Sequence, residues 1–174
     1  MNKSRPQSQE KDGEAHLKTP SETAAGGSRR KAREAALQAL FLIEMNPQNP
    51  FERSLGVFLE NFPIKEGSRP FFLRIGQGVW EHKAEIDQLI QGHSENWRLE
   101  RMSRVDCNIL RMAVFELNYC PDIPPRAAIN EAIDLGKHFG TEESGAFING
   151  ILDSIFLERY GQSSPEGNTK MMDL

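Results

Sequence analysis

Apolar residues recur every three to four positions along most of the chain, and nowhere do they alternate one-on, one-off over a useful length. That spacing is the 3.6-residue period of amphipathic helices, not the two-residue period of strands. A first helix starts near Ser28 or Arg29, with Ser28 as N-cap, and buries Ala36, Leu37, Leu40, Phe41 and Met45 before "NPQNP" stops it. A short second helix over 51–61 offers Leu55, Phe58 and Leu59, and Pro63 closes it. A third runs from Pro70 to Ile90 on Phe72, Ile75, Val79, Ile86 and Leu89. Gly76 and Gly78 in its middle mark a bend or a close helix contact. Trp97 and Leu99 anchor the link that follows.

The second half is more strongly patterned. Ser103 and Asp106 form a capping-box-like start to a helix bearing Val105, Ile109, Leu110, Met112, Ala113, Val114 and Leu117. Apolar residues spread this widely predict a central helix, covered on several sides. After Pro121 the chain restarts at Pro124 or Pro125, buries Ile129, Ala132, Ile133 and Leu135, and stops at Gly140, read as a left-handed C′ residue. Thr141 then caps a last helix carrying Phe147, Ile148, Ile151, Leu152, Ile155 and Phe156. Six or seven helices with short links predict an all-α bundle over 28–162. Residues 1–27 and 163–174 are polar and read as disordered tails.

Charge changes this picture at one place. The chain of 174 residues has net charge −4, yet Arg29, Arg30, Lys31 and Arg33 put four cations in five positions. From Glu34 to Gln162, twelve basic and nineteen acidic groups give −7, so the block is a local positive feature on an acidic body. At a helix N-terminus it opposes the macrodipole, which argues for a bound polyanion.

Little else points to chemistry. The four histidines (16, 82, 93 and 138) are scattered, "GQG" at 76–78 follows no strand, and no Walker lysine or GxSxG is present, so neither a catalytic residue, a metal site nor a cofactor is expected. Cys107 and Cys120 read as reduced core thiols of a cytoplasmic protein, being too far apart along one helix to bridge. No apolar run is long enough to span a bilayer and no apolar signal region opens the chain, so no membrane is expected as partner. Gly145 and Gly150, inside a helical pattern, allow either close packing or a shallow open surface. Spacing puts Phe147 with the core; if exposed, it is a base-stacking platform.

The stretches "RRKAREAALQAL", "NWRLERMSRVDCNILRMAVFEL", "INEAIDLGKHFG" and "SGAFINGILD" closely resemble, in order and spacing, the NusB transcription antitermination factors. The likeness runs from Arg29 to Ile155 and leaves out both tails. It implies an all-helical, non-enzymatic protein of two packed three-helix-type subdomains, here 28–92 and 96–160. It also implies binding of the single-stranded boxA element of ribosomal RNA leaders, together with NusE, a small-subunit ribosomal protein. Through NusE and other Nus factors it would act on RNA polymerase.

By motif, the resemblance carries RNA contact to Arg29, Arg30 and Arg33, with Lys31 standing where the family often has another arginine. It carries a second RNA patch to Thr141, Glu143 and Phe147, and a NusE-facing acid to Asp106. Two alternatives stay open: a helical protein–protein module, or an RNA-binding domain related to ribosomal RNA cytosine methyltransferases. Such an enzyme would need a cofactor-binding domain with a glycine-rich strand–helix unit. The apolar faces could also serve a homodimer.

Overall fold

The computed structural model describes residues 20–94 and 97–161, with side chains from Gly27 onward. Among them are seven α-helices and no strand: α1 (Pro20–Met45), α2 (Phe51–Asn61), α3 (Arg69–Glu81), α4 (Lys83–Gly92), α5 (Arg104–Tyr119), α6 (Pro125–Phe139) and α7 (Ser144–Tyr160). The expected disorder of residues 1–19 and 163–174 lies outside the described residues, as does His16.

Helix α5 is the axis. Every residue from Asp106 to Leu117 is buried, and α1, α3, α4, α6 and α7 all pack on it. Other helices pack around it, so the polar residues along its middle, Asn108, Arg111 and Glu116, find their partners inside the protein. Arg111 is held by both carboxylate oxygens of Asp87 at 2.6 and 3.0 Å and by Glu44 at 2.7 Å, with Asn108 bridging to Glu44 at 2.9 Å. Ser103 caps the helix as expected, its Oγ accepting the Asp106 N–H at 3.0 Å. Cys107 and Cys120 are free and buried, and burial pushes each thiol up to about 11.

Several local expectations need correcting. Helix α1 begins at Pro20, about two turns before the expected start. Ser28 is therefore not an N-cap. Its hydroxyl donates to the Gly67 carbonyl at 2.8 Å and meets Ser68 Oγ at 3.0 Å, pinning α1 to the 3₁₀ turn Glu66–Ser68. The single helix expected over 70–90 breaks at His82, where φ −101° and ψ 12° leave the helical region. The break redirects the chain so that α4 lies on α5, and the His82 ring stacks on Tyr119 at 4.1 Å. Met45 is 52% exposed because the stripe ends with the helix, and Trp97 is 53% exposed rather than an anchor.

Glycines explain where the helices come closest. A Cβ on Gly78 would sit 2.0 Å from Phe115 Cζ, so this glycine marks a close helix contact between α3 and α5. Gly136 and Gly145 do the same between α6 and α7, where a Cβ would meet Ile148 Cδ1 at 2.6 Å and Lys137 Cγ at 2.8 Å. Gly140 is not left-handed: its φ is −95°. It is glycine because a Cβ would lie 2.3 Å from Ser144 Oγ. Gly150 faces open space.

Candidate nucleic-acid interface

The basic block does not lie at the helix N-terminus. Arg29 follows Pro20 by nine residues, so the dipole penalty, confined to the first turn, does not apply to it. Nor do its charges stand alone. Arg29 pairs with Asp122 at 3.3 Å, and Arg30 with Glu34 at 3.5 Å and Asp134 at 3.3 Å. Burial works against the charge on Arg30, but Asp134, Glu131 and Glu34 outweigh it and raise its pKa. Lys31 is exposed. The local excess of positive charge in the sequence is thus largely offset once α5 and α6 fold against α1.

Arg33 has a different fate from its neighbours. It is only 4% exposed. Its Nε and Nη2 donate to the two carboxylate oxygens of Glu116 at 2.8 and 2.6 Å, and Glu131 lies 3.6 Å away. Phe71 lies under the guanidinium at 5.1 Å. This places Arg33 apart from the exposed arginines with which the sequence grouped it. Both edges of its fork are turned inward onto carboxylates, which leaves no face for a phosphate.

The second patch is assembled at the start of α7. Thr141 and Glu143 are exposed on the turn before the helix. Thr141 is not the cap: its backbone N–H donates to Ser144 Oγ at 2.8 Å, and its hydroxyl lies 3.2 Å from the same oxygen. Glu143 occupies the N-cap position without a side-chain hydrogen bond. Phe147 is half-buried, neither the full core residue that spacing suggested nor a free platform. Its ring meets Trp97 edge-on, with centroids 6.0 Å apart at 74°. Trp97, Arg101, Asp106, Thr141, Glu143 and Phe147 share the wall of a cavity of about 130 Å³.

Trp97 and Arg101 were missed as candidate site residues. The signal was Trp97's position in the polar run "NWRLERM", outside any helical stripe. An aromatic that no periodicity buries is a candidate for the surface. Asp106, from the first turn of α5, is buried, and its Oδ1 has no hydrogen-bond partner among the described residues. Its chain neighbour Val105 lines an apolar groove of about 290 Å³ with Leu37, Phe41, Leu42 and Phe139. Among the described residues no His, Cys, Asp or Glu cluster is arranged to hold a metal ion, and no helix is long and apolar enough to cross a membrane.

Similarity to known proteins agrees with this architecture. The NusB family's sequence profile matches residues 30–156. Transcription antitermination protein NusB of Desulfatibacillum aliphaticivorans is 54% identical over 131 residues, 75% of this chain and 91% of that protein. The protein of the same name from Myxococcus xanthus is 48% identical over 132 residues, covering 74% and 94%. Among solved structures, T. maritima NusB superposes with TM-score 0.67 at 39% identity, over 80% of this chain and 92% of that one. A NusB crystallised with NusE and double-stranded RNA superposes with TM-score 0.68 at 25% identity, over 76% and 98%.

Proposed function

The chain belongs to the NusB family, and we propose that it is a transcription antitermination factor that binds the boxA element of nascent ribosomal RNA leaders together with NusE. The observation that carries this reading is its similarity, over nearly the whole of that relative, to a NusB held with NusE and RNA. In this role the protein delivers no chemistry. It holds an RNA segment and a ribosomal protein together so that the antitermination complex, with other Nus factors, assembles on RNA polymerase.

Two surfaces divide the RNA work. Arg29, Arg30 and Lys31 on α1 supply salt-dependent attraction to phosphates, which carries no sequence information. Their acidic neighbours keep that attraction weak, which suits a protein that must leave most RNA alone. Selectivity comes from the α7 corner. Phe147 and Trp97 offer ring faces and edges to unstacked bases, and the Thr141 hydroxyl and Glu143 carboxylate offer an acceptor or donor to base edges. The groove at Val105 supplies apolar area for NusE, and the acidic body of the chain, rather than the buried Asp106, supplies charge for a basic ribosomal protein. Arg33 serves this function by fixing α1 on α5 rather than by touching RNA.

The test is binding of boxA RNA against scrambled RNA, each as single strand and as duplex, with and without NusE. Tighter binding of single-stranded boxA in the presence of NusE supports the reading. Equal binding of scrambled RNA, or no gain from NusE, overturns it.

A further inference from the structure

Arg29 on α1 and Arg74 on α3 are 45 residues apart in sequence but converge on one carboxylate. Asp122 Oδ2 lies 3.3 Å from Arg29 Nη2, and Asp122 Oδ1 lies 2.8 Å from Arg74 Nη1. We propose that this trio is a phosphate seat with its own stand-in: Arg74 belongs with Arg29 to the RNA-gripping surface, and Asp122 occupies the place of a phosphate until RNA displaces it. The inference rests on the nucleic-acid reading above and adds a residue that no motif assigns.

Geometry supports it. A carboxylate and a phosphodiester each present two oxygens to a guanidinium fork, so a site shaped by two arginines around one suits the other. The arginines are pre-aimed by separate contacts. Arg74 Nη2 donates to the Tyr119 carbonyl at 3.2 Å, and Arg29 lies 5.5 Å from the centre of the Phe71 ring. Asp122 is on the short link between α5 and α6, outside both helices. All three side chains reach solvent, with exposures of 42%, 38% and 46% for Arg29, Arg74 and Asp122, against 5% and 2% for the Arg33–Glu116 pair. An exposed pair is held weakly and can be exchanged, whereas a buried one cannot.

Charge sets the consequence. With Asp122 in place the trio carries +1, and with the carboxylate withdrawn the arginines present +2 to an incoming strand. The hydrogen bond from Arg74, helped by the charge on Arg29, holds the Asp122 carboxyl below its ordinary range, so neutral pH does not relieve the competition. Asp122 thus lowers general RNA affinity while leaving the arginines correctly aimed.

The experiment compares Asp122→Asn with Glu52→Gln, an equal charge change on α2, in the first turn after the far end of α1. Binding of single-stranded boxA RNA and its scrambled version by the full chain with NusE is measured over a salt series, with melting temperatures checked. Asp122→Asn is expected to tighten binding of both RNAs about two- to tenfold beyond Glu52→Gln. Arg74→Ala should weaken binding and flatten the log–log salt slope by about 0.7, the value of one lost contact on a single strand.

Arg74→Lys, which keeps the charge and loses the fork, should restore the slope. In Arg74→Ala the gain from Asp122→Asn should shrink. Equal effects of Asp122→Asn and Glu52→Gln, or an unchanged slope in Arg74→Ala at unchanged melting temperature, overturn the proposal. A wild-type chain that binds neither RNA overturns the nucleic-acid reading itself, and this inference with it.

Discussion

Arg29 and Arg33 sit one helical turn apart on α1, in the same basic block, yet the fold places them in opposite settings. Arg33 is sealed against Glu116 with two short hydrogen bonds and lies over the Phe71 ring. Arg29 lies over the same ring, 5.5 Å from its centre, and shares the solvent-facing Asp122 with Arg74. The difference is burial alone. A guanidinium taken out of water must be paired, and once paired it is a structural tie. One left at the surface is held loosely and keeps its capacity for a ligand. Identical residues within one motif therefore divide into a structural tie and, on the proposed reading, a binding group.

The strongest way to break this comparison is to remove the buried member. Arg33→Ala leaves the Glu116 carboxyl group buried without its partner, and Glu131 without the cation 3.6 Å from it. We expect a loss of about 3–5 kcal/mol, a large part of a typical domain's stability, read by urea or thermal unfolding. Replacing both partners by apolar residues of similar size, as in Arg33→Met with Glu116→Leu, should restore most of it. A small loss in the single variant would mean that the pair is not desolvated, and the contrast with Arg29 would fall.

A pair of glycines poses the same question in apolar terms. Gly76 and Gly78 are two residues apart on α3, and both are buried. A methyl on Gly78 would run into the Phe115 ring, whereas a methyl on Gly76 meets nothing within 4 Å. Gly78→Ala should cost about 1–3 kcal/mol by overpacking. Gly76→Ala should instead gain up to about 1 kcal/mol from helix propensity. Opposite signs in two melting curves check this, and like signs would show that α3 and α5 part easily.

How much of this could be read beforehand depends on how local the cause is. Helix α2 was legible to the residue, and the buried stripes of α5 and α7 nearly so, because 3.6-residue spacing is written in neighbouring positions. The break at His82 was not, since it is set by where α4 must land on α5. Arg33 is the more instructive miss. It lies on the stripe it shares with Ala36, Leu37 and Leu40, spaced i, i+3, i+4 and i+7, so the pattern already put it inside. Its partner Glu116 is 83 residues away, and without that partner in view an arginine on the core face looked like part of a charged surface. The motif pointed to Thr141, Glu143 and Phe147 at the α7 corner but not to Trp97, which joins them in space and which no stripe owns.

The smallest effect on stability, and the most informative for function, belongs to Arg29→Ala. Its ion pair with Asp122 is exposed and 3.3 Å long, so truncation should move stability by no more than about 0.5 kcal/mol. Removing it also frees Asp122 to serve Arg74 alone, which offsets part of the loss. Binding should behave differently. One phosphate contact fewer flattens the salt dependence by about 0.7 on single-stranded RNA, and equally for boxA and scrambled sequences, because a guanidinium on a phosphate reads no base. Arg33→Ala measured beside it should show RNA binding that falls only with the folded fraction. If Arg29→Ala instead melted the protein, or if its binding loss were confined to boxA, the two arginines would not divide as burial says they do. An unchanged melting curve with a flatter salt slope would establish that one turn of α1 separates a tie from a grip.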